Sequence, residues 1–469
     1  MRTWLAVGRN AIWGGILHLA PRAASAVALM LVGRIVGPSA AGSFALAATY
    51  LLIASTTMRG LDDLVIRETA KQGGLSARDI KLFVLARVGL STLAYGVIAV
   101  FVIVFFRYDS LSQVTVLVLC ATVLPDGLSY LGQAVLVGLG EFPKSSYAAI
   151  CAAVIKIATI AWLLLTGGTL LNVAWAWVGA STLGASVNLA AMAHGLRGKK
   201  ADAIQPGVLP LGGLVEPITF VAISILLTFE AQADTLVLSA FRTSAEIGFY
   251  GAATTIAFAF LVLSQGFRLS VYPVMARLAR DNDLRLHQLY DESVGYLGVV
   301  GIGLAIVLWF SSSSLVQLLF GSAFSNSAAP LRILGLAIAL IFLNEPSSRL
   351  LLAKQQQRRL LVTIALATAF NVASNLLLIP RWGALGAAYA RTISSGAILI
   401  LTLCNLRGIT SIRPVLLRMT VPVVAGIIAV SASPLTNRLS GWSQVAAVML
   451  IYAVALVLLR RLRLPAPGR

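Results

Sequence analysis

The sequence predicts an all-α integral membrane protein. About 14 transmembrane helices are expected, in two parallel-repeat six-helix lobes around a central cavity, plus two C-terminal helices. Three observations carry that prediction. The 469 residues are 58% hydrophobic and 11% charged, with a mean hydropathy of +0.90, whereas soluble domains carry about 25% charged residues. The apolar runs are continuous rather than alternating, which suits helices and not a barrel. The Lys and Arg residues gather in alternate short loops.

A span needs roughly 20 predominantly apolar residues. Such stretches run over 11–36, 41–64, 82–105, 113–138, 147–167, 172–195, 209–230, 247–274, 292–312, 330–350, 360–380, 384–404, 415–433 and 442–460. The first follows MRTWLAVGRN and could pass for a secretory signal. It is too long for one and Arg22 interrupts it, so an uncleaved helix is expected. The second ends near Arg59, Asp62 and Asp63, which mark its inner end. The fourth carries Pro125–Asp126 at mid-span, and the fifth carries Lys156. Glu216 and Pro217 interrupt the seventh, with Glu230 and Asp234 at its far end. Arg268 lies toward the inner end of the eighth, Glu345–Pro346 inside the tenth and Arg391 inside the twelfth.

One set of alternate segments holds Arg2, Arg9, Arg67, Lys71, Arg78, Lys81, Lys144, Arg197, Lys199, Lys200, Arg277, Arg280, Arg285, Lys354, Arg358, Arg359, Arg407, Arg413 and the C-terminal arginines from Arg460. The other set holds Arg107, Arg242, Arg332, Arg381 and Arg438. The rich set is expected in the cytoplasm. Both termini then share that side, which an even number of spans permits.

The net charge of +19 is accounted for by these loops, so no nucleic-acid partner is expected. Cys120, Cys151 and Cys404 lie in apolar runs with no CxxC or Cys/His cluster, so neither disulfides, a metal site nor another cofactor is expected. No constellation of catalytic acid, base and nucleophile stands out, and an enzyme is not expected.

LVGRIVGPSAAGSFALAATYL (31–51) and LVLSAFRTSAEIGFYGAATTI (236–256) align without gaps. Leu31, Val32, Ser39, Ala40, Phe44, Ala47, Ala48 and Thr49 match Leu236, Val237, Ser244, Ala245, Phe249, Ala252, Ala253 and Thr254. The segments occupy equivalent places in a six-span cycle, which is a parallel repeat. The expected lobes are 1–200 and 207–404, with 415–460 forming the last two spans outside the repeat.

A lone Arg at the bilayer centre costs about 2.5–3.5 kcal/mol on insertion scales. Arg22 is roughly 16 Å deep by helical rise, too far to snorkel, and follows Pro21, which removes a backbone bond. Two accounts are open. In one, Arg22, Lys156 and Arg391 neutralise Asp126, Glu216 and Glu345 and hold helices together. In the other, Arg22, Lys156, Arg268 and Arg391 line a wet cavity and bind an anionic headgroup, since the Arg fork grips phosphate oxygens in pairs. Asp126, Glu216, Asp234 and Glu345 are then coupling groups or charge partners. Arg87, Arg268 and Arg349 lie near enough to the inner ends to snorkel. Asn188, Asn371 and Asn375 read as interhelical glue, and His18 as structural.

The run Arg34-Ile35-Val36-Gly37-Pro38 with Gly42, then Gly60-Leu61-Asp62 and Ile66-Arg67-Glu68, resembles the N-terminal signature of bacterial polysaccharide flippases. These are the O-antigen and exopolysaccharide exporters of the multidrug/oligosaccharidyl-lipid/polysaccharide superfamily. Asp234 resembles the matching acidic residue of the second lobe. Ala41 departs from the pattern, where an aromatic is common. The resemblance implies alternating-access flipping of an undecaprenyl-pyrophosphate-linked oligosaccharide from the cytoplasmic to the periplasmic leaflet. The setting would be lipopolysaccharide or exopolysaccharide biosynthesis in the bacterial inner membrane, with membrane lipids, a polysaccharide polymerase and other assembly proteins as partners. The rivals are a cation-coupled multidrug exporter of the same superfamily, whose cavity would favour carboxylates, and a membrane polymerase or ligase, which would need a sizeable periplasmic loop.

Overall fold

The computed structural model describes residues 2–105, 110–197, 215–281, 283–436 and 441–462, which are helical throughout with short turns and no strand. Two compact units emerge, Met1–Gly248 and Phe249–Arg469.

The first unit holds α1 (Arg2–Val36), α2 (Pro38–Thr57), α3 (Arg59–Gln72), α4 (Ala77–Phe105), α5 (Ser110–Cys120), α6 (Val123–Gly138), α7 (Phe142–Leu165), α8 (Leu170–Leu196), α9 (Val215–Phe241) and the first turn of α10 (Ser244–Ala259). The turn from α1 to α2 explains the Gly-Pro pair of the N-terminal motif. Gly37 caps α2 with φ 113°, a left-handed value that disfavours a side chain. Pro38 then opens the helix, where its missing N–H is an orphan in any case. Gly42 answers a different need. A Cβ there would collide with the Ser244 carbonyl at the start of α10.

The second expected span splits at Met58. Its inner end is a separate short helix, α3, whose Ile66 and Thr69 press against Gly138 of α6. Val65 of α3, Phe83 of α4, Leu131 and Val135 of α6 and Met192 of α8 form one apolar cluster. The fourth expected span is likewise broken, two residues before Pro125, between α5 and α6. Pro125 therefore sits in the first turn of α6, where no intrahelical bond needs its N–H.

The second unit continues α10 and adds α11 (Leu261–Arg280), α12 (Arg285–Phe320), α13 (Ala328–Ala353), α14 (Gln357–Asn405), α15 (Ile412–Ser431) and α16 (Trp442–Leu462). The break between α10 and α11 falls at Phe260, close to the repeat position of the Met58 break. The seam of α12 and α13 is close because small residues face it: Gly301 lies against Ala339 and Phe342, and Gly335 against Ala305 and Leu308. Between helices in lipid such contacts replace the hydrophobic effect as the source of association. On the other flank of α12, Ile306, Ala425, Ala429, Val448 and Tyr452 join α15 and α16 to it, and the Tyr452 hydroxyl donates to the Val299 carbonyl at 3.0 Å.

Twelve helical stretches among the described residues are long and apolar enough to cross a membrane. One of them, α14, is two spans. Its 49 residues would reach about 74 Å if straight, over twice the hydrocarbon thickness. The backbone leaves helical geometry at Gly383, and the two ends meet again. Asn405 donates to the Thr363 hydroxyl at 2.8 Å, and Arg359 to the Asn405 carbonyl at 3.4 Å. With this hairpin and the 27-residue α9, the described helices supply the fourteen expected spans.

Candidate functional site: the intramembrane charges

Every charge held inside a span must find a counter-charge, a polar wall or water. The structure solves this differently for each.

Lys156, on α7, reaches Asp126 in the first turn of α6, with Nζ 2.9 Å from Oδ1. The ammonium also lies 5.1 Å from the ring centre of Trp177 on α8, which meets Phe44 of α2 edge-on. The pair is only partly exposed, 15% for Lys156 and 23% for Asp126. Of the two accounts of Lys156, neutralisation by a carboxylate describes its geometry. Removing one partner strands the other, so Lys156→Gln should lower stability by about 1–3 kcal/mol. The double change with Asp126→Asn should recover most of that loss, as thermal unfolding of the purified protein in detergent would reveal.

Arg22 also engages a neighbouring group. It is exposed on α1, one residue after Pro21 and two before the buried Ala24. Arg391, in the second half of α14, is 3% exposed, and Asp234 on α9 is 1% exposed; both engage neighbouring groups. Also on α9, Glu230 is buried, Gln232 accepts from Thr49 of α2 at 3.0 Å and Thr228 contacts Thr56 at 3.2 Å. The Glu216 and His18 side chains lie outside the described residues.

In the second unit, Arg349 holds Glu345 one turn earlier on α13, 2.8 Å from Nε to Oε1. Arg268 of α11, exposed, lies within electrostatic reach of both. Arg349 is therefore ion-paired rather than merely snorkelling.

Arg87 corrects the expectation most strongly. It was expected to snorkel, yet it is fully buried on α4 and forms an ion pair with Asp62 of α3. Gly127 makes room for it, since a Cβ there would meet the Arg87 and Ser91 side chains. Asp62 of the Gly-Leu-Asp motif is thus a counter-ion for the α3–α4 junction. Asn188 does bridge helices, donating to Ser129 of α6 at 2.9 Å. Asn375 donates to Asn371 within α14 at 3.0 Å, and both make further contacts. Among the described residues no group of three or more His, Cys, Asp or Glu could hold a metal.

Residues 31–329 match the profile of a family described as polysaccharide biosynthesis protein. The chain belongs to that family. No curated protein sequence matches it. Among solved structures, this polysaccharide biosynthesis protein is similar to the lipid II flippase MurJ in an inward closed conformation, with TM-score 0.74 and 14% identity over 96% of this chain and 99% of that one. It is also similar to an inward-facing multidrug resistance MATE family transporter of the MOP superfamily, with TM-score 0.64 and 14% identity over 82% and 94%. A Vibrio cholerae MATE transporter, VcmN, follows with TM-score 0.57 and 14% identity over 86% and 97%. The chain thus has the two-lobed fold shared by that flippase and those transporters.

Proposed function

We propose that this protein flips a lipid-diphosphate-linked oligosaccharide from the cytoplasmic to the outer leaflet of the bacterial inner membrane by alternating access, supplying surface polysaccharide assembly. The observation that carries the reading is Arg22, an exposed guanidinium on a membrane-spanning helix of a polysaccharide biosynthesis family member. A cation at that depth belongs against a polar cavity or a protein partner, and its exposed fork suits a diphosphate. The lipid tail can remain in the bilayer while the sugars follow the polar path. The basic loops belong on the cytoplasmic side, with both termini.

Arg268 and Arg391 are further candidate ligands. Lys156 would serve only by leaving Asp126. Asp126, Glu216, Asp234 and Glu345 are charge partners or coupling groups. The fold likeness to multidrug transporters leaves cargo open; the exposed guanidinium of Arg22 favours an anionic cargo over a cationic drug.

Two negative charges moved outward through about 100 mV, inside negative, gain roughly 4.6 kcal/mol. In proteoliposomes carrying a fluorescent lipid-diphosphate oligosaccharide, an imposed inside-negative potential should speed outward translocation. Translocation indifferent to that potential would remove it as a driving force, and none at any potential would remove the flippase reading.

A further inference from the structure

The cluster on α11 and α13 does not fit a purely structural role. A buried ion pair built for stability is neutral, because uncompensated charge in a low dielectric is costly. Here Arg349 pairs with Glu345, and a second guanidinium, Arg268 on α11, lies within electrostatic reach of both. The sum is one excess positive charge. Nor is the cluster sealed: Arg268 is exposed, while Arg349 and Glu345 keep 19% and 14% of their side-chain surface.

Its depth is informative too. Arg349 lies five residues before Lys354, about 7 Å by helical rise, and Glu345 about 13 Å. These side chains stand near the end of α13 that the basic loops mark as cytoplasmic. The backbone there is interrupted, since Pro346 lies inside α13 and cannot donate to the Phe342 carbonyl. The Asn344 Oδ1 beside it is buried with no hydrogen-bond partner.

We propose that Arg268 and Arg349 form a loading site for the diphosphate of a membrane lipid at the cytoplasmic end of the second unit, with Glu345 as the resident anion that the headgroup displaces. The proposal rests on the flippase reading and adds to it a second residue, Arg349, and a competitor. Two guanidinium forks one helix apart present planar donors to a group with two phosphates. Glu345 holds Arg349 in place while the site is empty, so no bare cation is left near the bilayer interior. The arrangement has a consequence with an unusual sign. Removing the negative charge of Glu345 should strengthen binding.

The test uses the full-length protein in nanodiscs of phosphatidylcholine. The probes are farnesyl diphosphate, farnesol and inorganic pyrophosphate, followed by thermophoresis. Farnesyl diphosphate should bind and farnesol should not. Arg349→Gln and Arg268→Gln should each weaken binding roughly ten-fold or more, in line with loss of a charge-assisted hydrogen bond, while Arg349→Lys should retain part of it. Glu345→Gln should tighten binding several-fold, a gain that misfolding cannot produce. Unchanged or weaker binding by a folded Glu345→Gln protein, judged by its thermal unfolding, would overturn the proposal. Pyrophosphate binding as tight as that of farnesyl diphosphate would overturn the lipid headgroup as its ligand. A translocation assay on the same proteins separates the two readings. Active flipping with no Glu345→Gln effect sinks the loading site alone, whereas tightened binding with no flipping sinks the transport reading and leaves the site standing.

Discussion

Asp62→Asn should cost this protein about 3–5 kcal/mol of stability, the scale of leaving a buried ion without its partner. Arg87 has no solvent exposure and Asp62 is the carboxylate it pairs with. An amide can still accept a hydrogen bond, but it cannot neutralise a guanidinium that has no access to water. The surroundings leave little room to relax, because Gly127 of α6 lies against the Arg87 and Ser91 side chains and α3, α4 and α6 share the apolar cluster of Val65, Phe83, Leu131 and Val135. The measurement is thermal unfolding in detergent, together with the monodisperse fraction on gel filtration. A large fall in both is expected. The double change Asp62→Leu with Arg87→Met should recover much of the loss, since well-packed apolar residues often replace a buried pair at no net cost. Wild-type unfolding of Asp62→Asn would show that the pair contributes nothing.

Arg22→Ala should leave folding intact and abolish most translocation. The side chain is exposed, so its removal opens no internal cavity. If the guanidinium meets the diphosphate at mid-depth, its loss removes charge-assisted hydrogen bonds, each contributing about 1.5–3 kcal/mol. That is at least a ten-fold drop in rate if the contact is made in the rate-limiting step. Arg22→Lys should keep part of the activity, because an ammonium supplies charge without the planar fork. Wild-type flipping by a normally folded Arg22→Ala protein would discard Arg22 as a headgroup ligand.

Much of the fold could be read from the chain, for a physical reason. A helix must satisfy its own backbone in lipid, so length and hydropathy alone locate spans. The Gly-Pro turn at Gly37–Pro38 and the reversal at Gly383 leave residue-type signals. The break at Met58 leaves almost none, so α3 was hidden inside a longer expected span. The break before Pro125 falls inside one continuous expected span, since a proline in a first turn and one in a helix interior look alike in sequence.

The candidate site was legible only as positions. Hydropathy shows that Lys156, Asp126, Arg349 and Glu345 lie inside spans, but not which of them touch. Glu345 and Arg349 are four apart on one helix, a spacing that puts them on one face, and that signal was available. Lys156 and Asp126 sit 30 residues apart on helices whose rotation the sequence does not give. Arg87 looked exposed because it is near a span end, a criterion that measures depth and ignores which way the helix faces.

The central claim is that positive side chains in the membrane serve a negatively charged lipid. It is tested most directly by giving the purified protein two cargoes in one set of proteoliposomes: the same saccharide on the same polyprenyl chain, joined through a diphosphate in one and an uncharged ether in the other. The account predicts that the diphosphate lipid crosses and the ether lipid does not. Equal movement of both, or of the ether lipid alone, would contradict it.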